Sequence, residues 1–400
     1  MMGSPGNLRR VLIIVENLPS PFDRRVWQEA TTLHKNGYQV AIICPKGKGY
    51  ESSYELIEGV HIYRHWLPAE ADGAMGYLLE YSVALFCEFY LAFKVLVKHG
   101  FDVIHACHPP ENIFLVGRFF RFFGKRFLFD HHDITPELYE AKFSRRDIFY
   151  KTMLLWEKLT FRLAHVSIAT NESYKNIAVT RGGMPEDKVF VVRSGPDLKR
   201  LRVQEPVESH RHGKKYLVGY VGVMGAQEGL DHLLRIIRII VDERKRRDIH
   251  FCLVGGGTEL ETLKGYANEL GVSNHVTFTG RVSDGVLLEV LNTADVCVNP
   301  DLPSEMNDKS TMNKIMEYMA LGKPVVQYDL LEGRRSALEA SLYATPNDEA
   351  DFADKILYLI DNPSKRKEMG QFGMNRVESE LEWRHEEPKL LAAYDCLFSQ

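Results

Sequence analysis

The chain has 400 residues with a hydrophobic fraction of 45%, and 50 Lys and Arg against 54 Asp and Glu give a net charge of −4. This composition excludes collagen, a coiled coil and a long disordered chain, and the length predicts two or three domains. Because there is no overall excess of positive charge, we expect no nucleic-acid partner.

A short apolar run, Val11–Val15, follows Arg9 and Arg10 and ends at Glu16. A signal peptide needs roughly 7–15 apolar residues and a cleavage site of small residues, so none is predicted. The longest apolar stretch, 77–97, is interrupted by three charged residues and reads as an amphipathic or buried helix rather than a membrane span. The six cysteines form no C-x-x-C pair, which favours free thiols in a cytoplasmic protein.

The first half of the chain alternates β-branched apolar runs with helical segments. We predict strands at VLIIV, YQVAIICP, DVIHAC, KRFLFDH, HVSIA and KVFVV, and a helix over Val26–Lys35 that Asn36-Gly37 closes. A series of this kind implies right-handed crossovers and a parallel sheet with helices on both faces.

The second half repeats the pattern after a charged segment, 196–215, which we predict to be the linker. Its strands are expected at YLVGYV, HFCLV, HVTFTG, DVCVN and KPVVQY. The sequence therefore predicts two Rossmann-like, doubly wound α/β domains facing a central cleft, with residues 1–200 in the first and 201–382 in the second. Ligands of such sheets bind outside the carboxyl ends of the strands.

The segment NDKSTMNKIMEYMALGKPVV, which starts at residue 307, carries the most chemical information. Ser310 is a predicted N-cap, and the helix that follows would place Asn313 and Glu317 on the face opposite its methionines. The N-terminus of such a helix favours an anion, and Lys309 and Lys314 flank it. A nucleotide site and a plain surface helix explain this segment equally well.

Glycines follow two of the predicted strands in the second half. Gly222 and Gly225 lie in the loop GVMGAQEG, and Gly256 lies in VGGGTEL. Loops of this kind let a backbone approach a phosphate closely, although a tight strand-to-helix turn needs the same residues.

The segment FDHHDITPELYE places Asp130, His131, His132 and Asp133 in a row. Neighbouring residues on a strand point to opposite faces, so only about half of them could converge on a metal ion. Because no second cluster of this density exists in the sequence, we predict no metal site and favour a single functional histidine at the strand end.

Residues 118–127, RFFRFFGKRF, combine five phenylalanines with four cations. Such a segment suits peripheral contact with an anionic membrane, a core helix with solvated cations, or the stacking of nucleic-acid bases. We favour the first two interpretations over the third.

Taken in order, these motifs resemble those of the retaining GT-B glycosyltransferases of family 4. The similarity runs almost end to end, through DVIHA, AHVSIATN, FVVRSGPD, VGYVG, LVGGGTEL, VTFTGRV, ADVCVNP and MEYMALGKPVV. It implies that a nucleoside-diphosphate sugar binds mainly to the C-terminal domain and the acceptor mainly to the N-terminal domain. It also implies that the closing helix, about 383–400, packs back on the first domain.

The resemblance assigns roles to single residues. Glu317 is similar to the glutamate that holds the nucleotide ribose, and His132 to a catalytic histidine near the reacting sugar. Arg281 and Val282 resemble the loop that frames the base. With Glu317, the expected donor site comprises Gly222, Gly225, Gly256, Arg281, Val282, Ser310, Thr311 and Asn313. On the acceptor side we place Asn17, Arg24 and His108.

The sequence departs from the family pattern at three charged positions. Lys309 stands where the family has the first glutamate of a pair whose second member is Glu317, and Val223 and Glu228 stand where it has the basic pair that neutralises the diphosphate. We therefore expect replacement cations, and we assign Lys309 and Lys314 to catalysis, with Arg334 as a further candidate.

The resemblance implies sugar transfer from a nucleoside-diphosphate sugar to an acceptor hydroxyl, with retention and without a metal or other cofactor. The subgroup it points to acts in surface-polysaccharide assembly, so the expected acceptor is a saccharide or a lipid-linked saccharide at the inner face of the membrane. Two other functions stay open at this point: a nucleotide-sugar epimerase of GT-B fold, and a catalytically inactive binding or scaffold protein.

Overall fold

The structure, a computed structural model, describes residues 9–67 and 74–399, and only the backbone of 74–81. The chain divides into two compact units. The N-terminal unit comprises the described residues of Met1–Glu140, Ser144–Ser194 and Glu386–Gln400, and the C-terminal unit comprises Ala141–Phe143 and Gly195–His385. Each unit is an α/β structure built on one sheet, which confirms the predicted fold class.

The described residues of the N-terminal unit form an eight-stranded sheet of order β3-β4-β2-β1-β5-β6-β7-β8. Its strands are β1 (Arg10–Ile14), β2 (Gln39–Pro45), β3 (Tyr54–Ile57), β4 (Val60–His65), β5 (Val103–Cys107), β6 (Arg126–His131), β7 (Val166–Ala169) and β8 (Val189–Val191). Neighbouring strands run parallel, except that β3 pairs antiparallel with β4. Because most of these strands are buried along their length, they read in the sequence as continuous apolar runs.

Helices connect these strands. They are α1 (Arg24–Lys35), α2 (Ala74–Lys98), α3 (Phe114–Phe122), α4 (Thr135–Phe143), α5 (Ile148–Leu163) and α6 (Glu172–Thr180). Asp23 caps α1, since its side chain accepts a hydrogen bond from the Val26 N–H at 3.1 Å. The helix ends at Asn36-Gly37, where Gly37 has a φ of +85°.

The described residues of the C-terminal unit form a six-stranded, parallel sheet of order β11-β10-β9-β12-β13-β14. Its strands are β9 (Tyr216–Val221), β10 (Ile249–Val254), β11 (Val276–Gly280), β12 (Val296–Asn299), β13 (Val325–Tyr328) and β14 (Ser341–Ala344). The helices of this unit are α7 (Leu230–Arg238), α8 (Leu260–Glu269), α9 (Asp284–Thr293), α10 (Glu305–Lys309), α11 (Asn313–Ala320), α12 (Leu331–Ala337), α13 (Glu349–Asp361) and α14 (Pro363–Arg376). The last helix of the chain, α15 (Trp383–Phe398), begins in this unit.

Both faces of the C-terminal sheet are covered. The successive residues Leu217 and Val218 of β9 belong to two different apolar clusters, one of which includes Met316 of α11 and the other Leu233 of α7. Because side chains alternate along a strand, a sheet with a cluster on each side must be apolar at every position, as the sequence pattern YLVGYV indicates.

The last helix, α15, contributes to the N-terminal unit from Glu386 onwards. The Glu386 carboxylate accepts the Arg193 N–H at 2.9 Å, and the Tyr394 hydroxyl lies 2.9 Å from His105 Nδ1. The end of the chain is therefore tied to the first sheet by buried polar contacts as well as by apolar packing.

Two features differ from the sequence-based expectations. The strand pair β3–β4 and the edge strand β14 were not predicted, since both are short and only partly apolar. The charged stretch 196–215 does not behave as a free linker. The Val207 N–H donates to Thr293 Oγ1 at 2.8 Å, and Arg211 pairs with Asp295 at 2.5 Å, so polar contacts hold this stretch on the C-terminal unit.

Helix α2 carries an unpaired carboxyl group on its buried face. Glu88 is fully buried beside Leu91 and Ala92, and within the described part of the chain nothing bonds either of its carboxylate oxygens. Burial alone raises the pKa of Glu88 to about 8. Among the described residues, no helix combines the length and the apolar character that crossing a bilayer requires.

Replacing Glu88 with Gln should flatten the pH dependence of stability. Between the ordinary pKa of a glutamate and about 8, the folded protein holds a proton that the unfolded chain releases, so stability is greatest at low pH and falls as the pH rises through this window. At pH 7 the free energy of unfolding is lower by about 3 kcal/mol than at low pH because of this one group. We expect the thermal midpoint of Glu88→Gln to fall less than that of wild type between pH 5 and 8. The exposed Glu339→Gln variant should follow wild type, and parallel curves for Glu88→Gln and wild type would show that Glu88 is ionised when folded.

Candidate functional site

At the carboxyl end of β6, Asp130 and His132 point to the same side of the strand and meet Arg25 of α1. The Arg25 guanidinium donates to both carboxylate oxygens of Asp130, from Nη2 at 2.8 Å and from Nε at 3.1 Å. His132 Nε2 lies in hydrogen-bond contact with Asp130 Oδ2 and 2.8 Å from Arg25 Nε. The sequence therefore positions His132 through two buried, charged neighbours.

The neighbouring His131 points the other way. Its ring packs 5.1 Å from the rings of Phe161 and Tyr174, and burial holds its pKa well below the ordinary range. The strand alternation predicted for this segment is thus confirmed, because only alternate residues converge.

Asp130 and three other buried side chains have the spacing of metal ligands. They are Glu29, His105, Cys107 and Asp130, whose ligand atoms all lie within 4.8 Å of one another. The Arg25 guanidinium, however, lies 3.1 Å from Glu29 and 2.8 Å from Asp130, so these carboxyl groups already surround a cation. A second cation here would meet the repulsion of Arg25, and we do not assign a metal to the cluster.

The residues predicted for the acceptor side are spread over different environments. Asn17 and Arg24 are exposed, whereas His108 is buried, with Nε2 3.5 Å from Thr135 Oγ1. The cation that reaches His132 is Arg25 and not Arg24, because α1 starts at Arg24 and turns its second residue inward.

In the C-terminal unit, the glycine loops after β9 and β10 lie against each other. The Gly222 N–H donates to Val254 O and the Met224 N–H to Gly256 O, each at 3.0 Å. A Cβ atom at Gly255, where φ is +139°, would lie 1.9 Å from Gly222 O. Close packing of two backbones therefore accounts for Gly255 without any ligand.

The segment between β12 and β13 forms two short helices, α10 and α11, instead of the single helix predicted. Ser304 caps α10, its Oγ accepting the Asn307 N–H at 3.1 Å. The prediction of Ser310 as an N-cap is wrong, since Ser310 ends α10, and α11 starts at Asn313 without a side-chain cap. The segment contains two serines that could cap a helix, and the one that does so is Ser304, at the start of α10.

The two predicted faces of α11 are present. Ile315, Met316 and Met319 are buried, whereas Asn313 is exposed and the Glu317 side chain is 14% exposed. The Glu317 carboxylate pairs with Arg200, whose other terminal nitrogen lies 3.6 Å from Asp284. Glu317 is therefore held in place by a cation that follows the last strand of the first unit along the chain.

Lys314 lies inside the site and is paired with two carboxylates. Its ammonium is 2.8 Å from Glu228 and 3.2 Å from Asp301, and the Tyr220 hydroxyl is 3.4 Å away. Burial lowers the pKa of Lys314, but the two carboxylates and Tyr220 outweigh it, so the pKa lies well above its ordinary value. Burial raises the pKa of Asp301 to about 6. The Glu228 that replaces a family cation is thus the direct partner of Lys314.

The other predicted cations lie in exposed ion pairs. Lys309 pairs with Glu305 one turn earlier on α10, at 2.5 Å, and Arg334 pairs with Asp329 at 2.6 Å. A Cβ atom at Gly222 would lie 3.3 Å from Lys314 Nζ, so of the three cations proposed from the sequence, Lys314 is the one shown beside a glycine loop in the described structure.

The remaining donor-site candidates lie around these loops. Arg281 is exposed and follows β11, with its Cγ atom 3.5 Å from the Cβ position of Gly256. Val282 packs on the apolar cluster that includes Met316, and Thr311 lies between α10 and α11.

Sequence reasoning missed the partners that fix these residues. Arg25 and Glu29, four residues apart on α1, form a pair that the helical spacing of the sequence could have indicated. Arg200 and Asp301 had no such signal, because their partners lie far away in the sequence.

Two protein-family models match the chain in succession. The model described as Glycosyltransferase Family 4 matches residues 23–200, and the model described as Glycosyl transferases group 1 matches residues 215–362. The matches meet near the division between the two units.

Individual proteins are similar to this chain at low sequence identity. The 2-deoxystreptamine glucosyltransferase of Streptomyces kanamyceticus is 22% identical, over 60% of this chain and 62% of its own length. The capsular polysaccharide biosynthesis glycosyltransferase CapM of Staphylococcus aureus is 24% identical, over 58% of this chain and 62% of its own. The aligned part is thus less than two thirds of the length of either relative. The sucrose-phosphate synthase of Thermosynechococcus elongatus superposes with a TM-score of 0.76 at 20% identity, over 98% of this chain and 99% of that structure, which shows the fold.

Removing the ammonium of Lys314 should destabilise the C-terminal unit. Lys314→Met leaves Glu228 and Asp301 without their cation, and breaking a buried pair in this way costs about 3–5 kcal/mol. We expect the double variant Lys314→Met/Glu228→Gln to recover part of the loss, since one unpaired charge has gone. Chemical denaturation measures the free energy of unfolding of the single and the double variant.

Lys309→Met is the matched control. Its exposed pair with Glu305 is worth less than about 1 kcal/mol, so this variant should unfold close to wild type. A Lys314→Met protein as stable as Lys309→Met would contradict the buried ion cluster.

Proposed function

We propose that this chain transfers a sugar from a nucleoside-diphosphate sugar to an acceptor hydroxyl. The successive matches to the family 4 and group 1 glycosyltransferase models support a GT-B glycosyltransferase of family 4 type. The observation that carries the proposal is the grouping, within one unit, of glycine loops, the buried Lys314 and the partly exposed Glu317. These are the groups that a diphosphate and a ribose require.

Glu317 is proposed to hold the ribose. A carboxylate has about four acceptor sites, so Glu317 can accept from Arg200 and from the ribose hydroxyls at the same time. The pair with Arg200 also removes the need to order the Glu317 side chain when the donor binds.

Lys314 is proposed to serve the diphosphate. In the reaction the bond between the anomeric carbon and the diphosphate oxygen breaks, the acceptor oxygen bonds to that carbon, and the acceptor hydroxyl gives up its proton. Negative charge therefore grows on the departing diphosphate, and a nearby ammonium stabilises it more in the transition state than in the ground state. We propose that no metal takes part.

The N-terminal unit is proposed to bind the acceptor, with His132 serving the reacting sugar. We propose a saccharide or lipid-linked saccharide acceptor, used in surface-polysaccharide synthesis, and retention of the anomeric configuration. Support for this acceptor class comes from the resemblance in the sequence and from the naming of CapM as a capsular polysaccharide biosynthesis glycosyltransferase.

A catalytically inactive, nucleotide-binding protein is the second candidate. The observation that favours it is that Lys314 is already balanced by two carboxylates, which leaves less positive charge for a diphosphate. Such a protein would bind nucleoside diphosphates and turn nothing over. A nucleotide-sugar epimerase would instead convert one nucleotide sugar into another without an acceptor.

Donor binding and Glu317 are tested together. Thermal shift with UDP, GDP, UDP-glucose, UDP-N-acetylglucosamine and GDP-mannose should identify a stabilising nucleotide, since a ligand that binds only the native state raises the midpoint. We expect Glu317→Ala to weaken binding of that nucleotide about ten- to a hundredfold in calorimetry, the effect of losing a charge-assisted hydrogen bond.

The exposed Glu339→Ala variant should bind as wild type does. Slow hydrolysis of the nucleotide sugar to free sugar supports a transferase, whereas a new nucleotide sugar in the proton spectrum indicates an epimerase, and binding without turnover indicates the inactive protein. Unchanged affinity in Glu317→Ala would remove Glu317 from the donor site.

We propose further that the N-terminal unit binds anionic membranes. Helices α2 and α3 expose aromatic side chains next to each other, Phe93 and Phe119 with ring centres 5.5 Å apart, and Phe122 is 88% exposed. We call this surface the aromatic face. Its exposed aromatic residues are Phe86, Tyr90, Phe93, Phe119, Phe122 and Phe123.

The structure corrects part of the sequence-based view of residues 118–127. Phe120 and Phe127 are buried, and the Arg121 guanidinium bonds to Leu163 O, so these side chains serve the fold. Arg118 is exposed beside the aromatic face, and Lys94 and Lys98 of α2 add exposed cations. A bilayer suits this mixture, because aromatic rings enter the interface while cations meet anionic headgroups.

Vesicle co-sedimentation tests this surface. Phe122→Ser/Phe123→Ser and, separately, Lys94→Ser/Lys98→Ser/Arg118→Ser should each reduce binding to phosphatidylglycerol-containing vesicles, the second by about tenfold or more since each cation is worth about 1 kcal/mol. Tyr358→Ser, an exposed aromatic of α13 in the other unit, is the control and should bind as wild type. Binding that neither set of replacements reduces would refute the proposal.

A further inference from the structure

The buried cluster around Asp130 contains more polar groups than folding requires. Asp130, Glu29 and His105 are completely buried, and Arg25 is nearly so. Burying charges is costly even when they are paired, and apolar residues of similar volume serve stability as well or better. What distinguishes this cluster is that one of its edges is His132, the histidine proposed to serve the reacting sugar.

The two-pronged contact with Arg25 keeps Asp130 ionised. Burial raises the pKa of the Asp130 carboxyl, but the charge of Arg25 and the hydrogen bonds from His105 and His132 outweigh it, so the pKa lies well below its usual range. The Arg25 guanidinium is itself anchored by Val192 O at 2.8 Å and Ser194 Oγ at 3.4 Å. Because an ionised carboxylate can only accept hydrogen bonds, each group in contact with it must donate.

This requirement decides where the hydrogen on His132 resides. His132 Nε2 contacts Asp130 Oδ2, so Nε2 must carry the hydrogen. Arg25 Nε lies 2.8 Å from the same nitrogen, but its N–H also reaches Asp130 Oδ2 at 3.1 Å. An Nε2 without a hydrogen would set its lone pair against the lone pairs of the carboxylate oxygen. With the hydrogen on Nε2, Asp130 Oδ2 accepts from Arg25 and from His132 together.

The other nitrogen of the ring is then the one with a lone pair. Nδ1 of His132 makes no hydrogen bond to any residue that the structure describes, and 14% of the side chain is exposed. A neutral imidazole in this form accepts at Nδ1 while Nε2 is bound to the protein.

His105 is a further neighbour of the Asp130 carboxylate, and it also contacts Tyr394. His105 Nε2 lies 3.5 Å from both Asp130 Oδ2 and Glu29 Oε2, and His105 Nδ1 lies 2.9 Å from the hydroxyl of Tyr394 on α15. Burial and the neighbouring Asp130 raise the pKa of Glu29 well above its usual value. The guanidinium of Arg25 makes two hydrogen bonds to Asp130 and one contact, at 3.1 Å, with Glu29.

We propose that Asp130 is the positioning residue of His132, holding its ring in the Nε2–H form so that Nδ1 is the nitrogen offered to a hydroxyl group of the bound sugar substrate. This inference rests on the proposed function, in which His132 serves the reacting sugar. Arg25 acts indirectly, because its two hydrogen bonds keep Asp130 charged and oriented.

The tautomer is measured directly by long-range proton–nitrogen spectroscopy of the full chain with nitrogen-15 labelled histidine. The signals of His132 are those missing from His132→Gln. We expect them at pH 8 to show a protonated Nε2 and an unprotonated Nδ1. A protonated Nδ1, or an exchanging mixture of both forms, would overturn the proposal, and this result needs no variant of the buried cluster.

Variants then test the link to turnover. With the nucleotide sugar selected by thermal shift, we expect Asp130→Asn to lower kcat about tenfold or more and to leave the donor KM within about twofold. Asp130→Asn added to His132→Gln should lower kcat no further, since the two residues act as a unit. Additive losses would contradict the positioning role. The Glu339→Gln variant, at an exposed residue of the other unit, should keep the wild-type tautomer and kcat.

The outcomes also separate this inference from the proposed function. If His132→Gln turns over normally while His132 shows the expected tautomer, the role of His132 in the reaction fails and the structural effect of Asp130 stands. If His132→Gln is impaired and the tautomer is reversed, the inference fails and the role of His132 stands.

Discussion

Each unit of the molecule buries a cation among carboxyl groups at the end of its parallel sheet where ligands of such folds bind. In the N-terminal unit the cation is Arg25, paired with Asp130, and in the C-terminal unit it is Lys314, paired with Glu228 and Asp301. A buried charge is tolerated only when it is paired, so these pairs fix the loops and helices around them. Of the proposed functional groups, His132 contacts Asp130 directly, and Glu317 lies on the same helix, α11, as Lys314.

The architecture was predictable from the sequence because parallel strands buried on both faces leave a plain signature. Runs such as VLIIV and YLVGYV coincide with central strands, whereas the edge strands β3 and β14 were missed because they are short and partly exposed. The buried strand β4 was missed because polar residues interrupt its apolar run. The site was predictable only in part. The helical pattern of the sequence indicates that Glu317 lies on the polar face of α11 and that Lys314 lies near the start of this helix. The start of α11 at Asn313, and the inward direction of Arg25 instead of Arg24 on α1, depend on the exact first residue of each helix. The sequence leaves that residue open by one to three positions.

One departure of this chain from the family pattern, Glu228, lies in direct contact with a proposed replacement cation, whereas Lys309 pairs separately with Glu305. Glu228 stands where a cation is expected, and Lys314 supplies a cation directly against it. The two positions are therefore best understood as one exchange of charge between a loop and a helix, in which the site keeps an ammonium group and gains carboxylates around it. In the proposed reaction the role of the family's basic pair falls to Lys314, whose position is fixed by Glu228 and Asp301.

The central claim is that the glycine loop after β9 and the segment of α10 and α11 together hold a nucleoside diphosphate. Hydrogen–deuterium exchange with and without a stabilising nucleotide tests it most directly, because it reports which backbone segments the ligand protects. We predict slower exchange at residues 222–229 and 309–318 and unchanged exchange in α13, which covers the same unit's core away from these loops. Protection confined to other segments, or none at a saturating nucleotide concentration, would contradict the account.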